Sequence, residues 1–456
     1  MENNTVKRAS KLGVICYGLG DLASQFVWTF VGSYLTIFYT DIVGFAPIVV
    51  SGIMLIARIW DAINDPMMGS IAENCRTKFG RFRPWIAFGC PFLAIFAVMT
   101  FVNMGNTTGG IIFSAVVYII AGMLYTLVNI PYSSLAAVMT EDPKQRNAIG
   151  VSRNIGMNVG MIIVNSCSAG LALHFSGSGA EVATGHGYMM TALVYSIISI
   201  PLFLIVFFTS KEVIMPKASA KKLNPAETFS GMVKNKYLMT IFIVSTIQMV
   251  AFMGRISITT YYVIYCLGAF TLISLIMTIP SIGGVVGSFF VTPIVNKLGK
   301  KATLALMLVG QGVGLLIVYF APFTNMPMII IGHCVYGIFN CGFPICLAMV
   351  ADCVDFWQLK TGARQDGSYY ATYGLSTKLG NAIGSAVGVL IIAAFGYVAG
   401  ANEQTAEALS GINMTVNLIP GILLIFAAVL LWVLWDKKDS EFDDIRAELK
   451  AKETQN

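Results

Sequence analysis

Basic residues in this chain are confined to every second connection between its apolar runs, and that alternation limits the fold more than any other feature. All but four of the 29 lysines and arginines lie at the termini or in segments 73–83, 140–148, 210–236, 294–301 and 354–368. The intervening segments 40–45, 105–109, 174–187, 265–267, 322–326 and 399–411 contain none. Lysine and arginine collect on the cytoplasmic side of a bilayer, so both termini are expected in the cytoplasm and the number of crossings must be even.

The apolar runs supply that number. Segments 12–39, 46–72, 84–104, 110–139, 149–173, 188–209, 237–264, 268–293, 302–321, 327–353, 369–398 and 412–435 each reach across ~30 Å of hydrocarbon at about 1.5 Å per helical residue. The expected fold is an all-α membrane protein with twelve transmembrane helices. Only 11% of the residues are charged, against about 25% in soluble domains. The runs are continuous rather than alternating, which excludes a β-barrel. Lys7-Arg8-Ala9-Ser10-Lys11 precedes an apolar run longer than a signal-peptide core and without a small-residue cleavage site, so it reads as the first crossing.

The longest connection, 210–236, carries six lysines and divides the chain into an N-terminal half at 1–209 and a C-terminal half at 237–435, followed by a cytoplasmic tail at 436–456. The tail reads as a solvated helix with a frayed end. Lys78-Phe79-Gly80-Arg81-Phe82-Arg83 after the second crossing matches Lys297-Leu298-Gly299-Lys300-Lys301 after the eighth. Two six-helix halves with a weak repeat describe the major facilitator architecture, and alternating access is the function that accompanies it. Nine cysteines are scattered without a CxxC, which argues against disulfides and zinc, and His174, His186 and His333 form no ligand constellation. No Ser/His/Asp set or phosphate loop appears, so an enzyme is not expected, and the net charge of +6 reflects topology rather than nucleic-acid binding.

Charges inside the crossings carry the functional signal. Asp61 and Asp65 are one helical turn apart, with Arg58 on the same stripe. Each buried charge costs at least about 2.5–3.5 kcal/mol on insertion scales. Counted from the cytoplasmic end of each run, Asp21, Asp61, Asp65, Asn129 and Lys378 lie roughly 10–16 deep in ångströms, and Arg153 reaches the same level. The paired carboxylates, with the Asn64 amide and the Thr126 hydroxyl, suit a proton, Na⁺ or the Lys378 ammonium; Lys378 serves equally as a simple interhelical strut. Asp21 and Arg153 are suited to sugar hydroxyls, as acceptor and as donor fork. Tyr125, Tyr132, Phe343 and Tyr373 offer faces for a sugar ring. Arg255 has no assigned role, and Asp352 with Asp355, at the cytoplasmic end of the tenth crossing, read as a gate or an anchor.

Several of these stretches carry a resemblance. Tyr17-Gly18-Leu19-Gly20-Asp21, Phe38-Tyr39-Thr40-Asp41, Arg58-Ile59-Trp60-Asp61-Ala62-Ile63-Asn64-Asp65-Pro66, Gly80-Arg81-Phe82-Arg83-Pro84-Trp85, Asn129-Ile130-Pro131-Tyr132, Asp352-Cys353-Val354-Asp355-Phe356 and Lys378 run in order along nearly the whole chain. Together they resemble the glycoside-pentoside-hexuronide:cation symporter family, the melibiose-permease-like branch of the major facilitator superfamily. The resemblance implies sugar uptake coupled to Na⁺, H⁺ or Li⁺. It implies a cation site at Asp61, Asn64, Asp65 and Thr126 with Lys378 close by, and a sugar site at Asp21, Tyr125, Asn129 and Arg153. The sugar site departs from the melibiose-permease pattern: Asn129 replaces an aspartate, Ser133 and Phe343 replace tryptophans, and Gly20 replaces a lysine. Three intramembrane acids then face four bases, which favours an anionic sugar such as a glucuronide, or a pentoside.

The expected partners are a small sugar, a monovalent cation and the bilayer, with a monomer in the inner (plasma) membrane and no cofactor beyond the coupling ion. The competing readings are a lipid or drug carrier on the same fold and a non-transporting membrane sugar sensor.

Overall fold

In hydrocarbon a backbone must satisfy its own hydrogen bonds, so apolar runs of this length become helices. A computed structural model describes residues 8–140, 142–213, 234–362, 366–401 and 403–455, and most of the central connection, 214–233, lies outside them. Among the described residues the elements are helical, with a lone bridge between Thr77 and Gly80. They are α1 (Lys11–Cys16), α2 (Leu19–Ile37), α3 (Pro47–Asn74), α4 (Arg83–Met99), α5 (Thr108–Val138), α6 (Pro143–Ser176), α7 (Gly185–Thr209), α8 (Lys236–Tyr261), α9 (Leu272–Leu298), α10 (Lys300–Phe320), α11 (Met326–Phe339), α12 (Phe343–Thr361), α13 (Asp366–Ala394), α14 (Ala406–Asn413), α15 (Ile419–Leu434) and α16 (Asp439–Gln455). Single π turns at Phe38–Ile42, Tyr262–Cys266 and Met414–Leu418 extend α2 and α8 and join α14 to α15.

Eleven spans among the described residues are long and apolar enough to cross a membrane. The expected twelfth, 84–104, is the shorter α4, which has 17 residues and sits at the lower limit of ~17–25 for a crossing. It stops early because the Thr100 hydroxyl turns back to the Ala97 carbonyl at 2.6 Å and Asn103 then bonds the Gly105 amide. The tenth crossing is also interrupted, at Asn340–Gly342, and α12 continues to Thr361. Asp352 and Asp355 therefore lie within a helix rather than at its end.

The described residues cluster into two compact units. The first contains α1 to α7 together with Ser257–Thr278 and Gly396–Thr405. In it α2 packs on α6 and α7, α4 on α5 and α7, and α3 on α5. Glycines set the α6 contact: a Cβ on Gly156 would sit 1.9 Å from the Gly18 carbonyl oxygen, so only glycine lets the chain at Gly18 pass against α6. The outlying segments join through polar contacts. Tyr265 donates to Asp41 at 2.5 Å, Tyr397 donates to the same carboxylate, and Thr40 bonds the Tyr261 hydroxyl at 2.8 Å.

In the second unit α10 packs on α11 and α15, and α12 packs on α16. The tail was expected to be a solvated helix; instead α16 buries Phe442 and Ile445 in this unit's core, where Phe442 meets Tyr237 and Trp435. Spaced three apart, the two apolar side chains form one face of a helix otherwise rich in charge. The same face sends Arg446 Nη1 to Asp352 Oδ1 at 2.8 Å, while Lys300 holds the other oxygen. Asp352 is thus tied within its own unit.

Removing a large buried aromatic side chain costs about 3–5 kcal/mol. Phe442→Ala is therefore expected to lower the thermal unfolding midpoint of detergent-purified protein, and a midpoint equal to wild type would refute the packing of α16.

Candidate functional site

Two charged clusters and a bridge between them occupy the first unit. The first cluster lies where α3 meets α5. Arg58 Nη1 donates to Asp61 Oδ2 at 2.9 Å, and Nη2 donates to the Tyr118 hydroxyl at 2.9 Å. One turn on, the Thr126 hydroxyl donates to Asp65 Oδ1 at 2.7 Å. Asn64 is buried, and its amide nitrogen has no hydrogen-bond partner among the described residues. The other face of the Asp61 carboxylate looks at Gly122, where an added Cβ would lie 3.0 Å from Oδ1. Two carboxylates, a hydroxyl and an amide together make an oxygen-rich set of hard donors, the chemistry that Na⁺ and protons share. Arg58 neutralises Asp61 on the same helix.

The second cluster joins α2, α5 and α6. Arg153 Nε donates to Asp21 Oδ2 at 2.9 Å and Nη2 to Oδ1 at 3.3 Å, a two-pronged arrangement that fixes both groups. Nη2 also reaches Ser133 Oγ at 3.3 Å. The Tyr132 hydroxyl shares its single proton between Asp21 Oδ2 and the Tyr17 carbonyl oxygen, each 2.7 Å away. Its ring stacks on Tyr17 with centroids 4.6 Å apart and lies under the Arg153 guanidinium. Tyr132 is fully buried, so it has no free face for a sugar; it orients Asp21 instead. It also explains Gly20, because a Cβ there would lie 2.3 Å from the Tyr132 ring.

Between the clusters, Tyr125 and Asn129 sit one turn apart on α5. The Asn129 amide donates to the Tyr125 hydroxyl and to Ser24 Oγ, each at 3.3 Å. Tyr125 stacks on Trp28 of α2, with centroids 4.4 Å apart and planes within 20°. The Arg58 guanidinium lies 5.1 Å from the Trp28 ring centre. The first unit thus brings together Asp21, Asp61, Asn64, Asp65, Tyr125, Thr126, Asn129 and Arg153. Lys378 and Tyr373 belong to α13 of the second unit, with Lys378 half-buried and the Tyr373 ring 5.8 Å from that of Phe343. Arg255, also in the second unit, is buried with its guanidinium 4.4 Å from the Tyr336 ring centre.

Sequence reasoning missed Trp28, Tyr118 and Gly122. Gly122 and Tyr118 fall one and two turns before Thr126 on the stripe of α5 that faces α3, and that spacing was their available signal.

Gly122→Ala would place a methyl against the Asp61 oxygen. A loss of about 1.4 kcal/mol is a factor of ten in affinity, so the dissociation constant of this donor set for Na⁺, titrated on purified protein, is expected to rise by about that factor in the variant while the melting midpoint holds. An unchanged dissociation constant would show that the Asp61 oxygen beside Gly122 contacts no ion.

The model of the family described as MFS/sugar transport protein matches residues 16–434. The isoprimeverose transporter of Lactiplantibacillus pentosus is 30% identical over 445 residues, 96% of this chain and 91% of that protein. The glucuronide carrier protein homolog of Escherichia coli (strain K12) is 26% identical over 440 residues, 96% and 94% of the two chains. Among solved structures, a D-xylose-proton symporter superposes with a TM-score of 0.67 over 92% of this chain and 96% of its own, at 15% identity, which speaks for the major facilitator fold. The chain belongs to the MFS/sugar transport protein family.

Proposed function

We propose that the chain is a secondary active symporter that imports a glycoside together with Na⁺ or H⁺ by alternating access. The observation that carries this reading is the placement of two unlike polar sets on one helix: Thr126 serves the carboxylates of α3 while Tyr125 and Asn129 face α2, whose Asp21 is paired with Arg153. In the proposed cycle the cation is cargo. Asp61 and Asp65 hold it, with Thr126 and Asn64 completing the oxygen set and Lys378 as a further charge of the cycle. Asp21, Arg153, Asn129 and Tyr125 take the sugar, Asp21 accepting from its hydroxyls and Arg153 donating to them.

Related proteins named for isoprimeverose and glucuronide transport support a pentoside or hexuronide as substrate. The placement of lysine and arginine supports cytoplasmic termini in a plasma-membrane protein, with six crossings on each side of the connection 210–236. A monomer suffices for this cycle, and no catalytic step is part of it.

Uptake into proteoliposomes tests the reading with xylosides, glucuronides and galactosides, each under a Na⁺ gradient at fixed pH and separately under a pH gradient. Concentration of one sugar under one gradient is expected; no accumulation under either would refute symport. Asp61→Asn and Asp65→Asn are each expected to abolish uphill accumulation while sparing measurable sugar binding. Accumulation against a gradient by either variant would refute the ion assignment. Hydrogen bonds to charged groups contribute about 1.5–3 kcal/mol, so Asp21→Ala and Arg153→Ala should each weaken sugar binding roughly 10–150-fold. Wild-type affinity in both would displace the sugar site.

A further inference from the structure

We infer that Trp28 is a positioning residue that couples the two sites, transmitting occupancy of Asp61 to the sugar-facing pair Tyr125 and Asn129 through the Arg58 guanidinium. The inference rests on the symport reading above and adds to it a route for coupling.

The contacts form an unbroken series across three helices. Asp61 accepts from Arg58, Arg58 lies against the Trp28 ring, Trp28 stacks on Tyr125, Tyr125 accepts from Asn129, and Asn129 reaches back to Ser24. Trp28 and Ser24 are one turn apart on α2, so this helix touches both ends of the bridge. The indole has two aromatic interactions of different kinds at once, a cation and a stacked ring. Cation–π attraction weakens as the cation leaves the ring, whereas stacking depends on ring offset. Movement of the guanidinium therefore changes the rotamer at which the indole is most stable.

A coupling ion supplies that movement. Arg58 Nη1 donates to the Asp61 oxygen that faces it, and the same carboxylate must turn lone pairs toward an incoming cation. Na⁺ or a proton on Asp61 lowers its attraction for the guanidinium, and Na⁺ also repels it. Tyr118 holds Nη2 at 2.9 Å, so Arg58 pivots about that bond rather than leaving. Its charge shifts relative to Trp28, and the indole resettles against Tyr125. The Tyr125 hydroxyl lies in the fields of Asp21, Arg58, Arg153 and Asp65 together, which makes it the group through which both clusters are felt. By linkage the effect is reciprocal: a sugar that fixes Tyr125 and Asn129 restores affinity for the ion.

The test measures a ratio rather than an activity. Full-length protein in nanodiscs is titrated with methyl xyloside and methyl glucuronide, with and without saturating Na⁺ and at low and high pH, and the factor by which the ion changes each sugar dissociation constant is recorded. Such coupling factors are typically about 5–150, and Trp28→Ala is expected to bring the factor to within about twofold of unity, with Trp28→Phe retaining most of it. A wild-type factor in Trp28→Ala would overturn the relay and leave symport standing. A wild-type protein whose affinity for both sugars ignores both ions would overturn symport and the relay with it. Tryptophan emission provides the second readout, and it needs only a variant that keeps the stacked ring. Na⁺ alone is expected to change the emission of the wild type and not of Trp28→Phe, and an equal change in both would also overturn the relay.

Discussion

A charge inside a membrane protein must find its partner within the protein, because the surrounding hydrocarbon offers none. That requirement organises the first unit. Asp21 is held by Arg153 and Tyr132, Asp61 by Arg58, and Asp65 by Thr126, so Asp21 draws α5 and α6 toward α2, Asp65 draws α5 toward α3, and Asp61 is neutralised within α3 itself. Removing one partner from such a pair leaves an uncompensated charge, which costs more than the pair contributes when intact. The helices are therefore fixed in azimuth as well as depth, and backbone contact at Gly18 and Gly156 gives the pairs their short reach.

The arrangement suits a transporter better than a rigid binding protein. Asp21 and Arg153 satisfy each other in the structure described, so any polar ligand of this pair would compete with a bond already made. Arg58 plays the same part beside Asp61, supplying the positive charge that the carboxylate needs. A carrier that must release its cargo on the far side gains from such internal substitutes, since an emptied site would otherwise expose bare carboxylates during its return.

Much of this was legible in the sequence because membrane insertion enforces simple rules. Charge placement and apolar length located the crossings, and the rarity of intramembrane charge singled out Asp21, Asp61, Asp65 and Arg153. What escaped were contacts between residues remote in the chain. Trp28 and Tyr118 are aromatic residues among many in apolar runs, and nothing local separates the two that contact Arg58 from packing residues. Tyr132 was read as a sugar-stacking face because its ring was visible in the sequence while its bond to Asp21, 111 positions away, was not. The tail misled through average polarity: Phe442 and Ile445 are few, yet their spacing puts them on one face, and Arg446 adds a charge pair there. The shortened α4 reflects local turn chemistry at Thr100 and Asn103 that apolar content does not register.

The Asp41 carboxylate has a consequence for how the protein is made. One of its tyrosine partners, Tyr397, lies 356 positions further along the chain. At ~5–20 residues per second, ribosomes reach that tyrosine roughly 20–70 s after the aspartate. Until Tyr265 is made, the acidic end of the first helix is held by Thr40 alone among the bonds described, and until Tyr397 is made, by Thr40 and Tyr265. The first unit is therefore closed only once Tyr397 has been made, and a chain halted between the two residues would be a half-closed product that quality control could recognise by its unsatisfied acid.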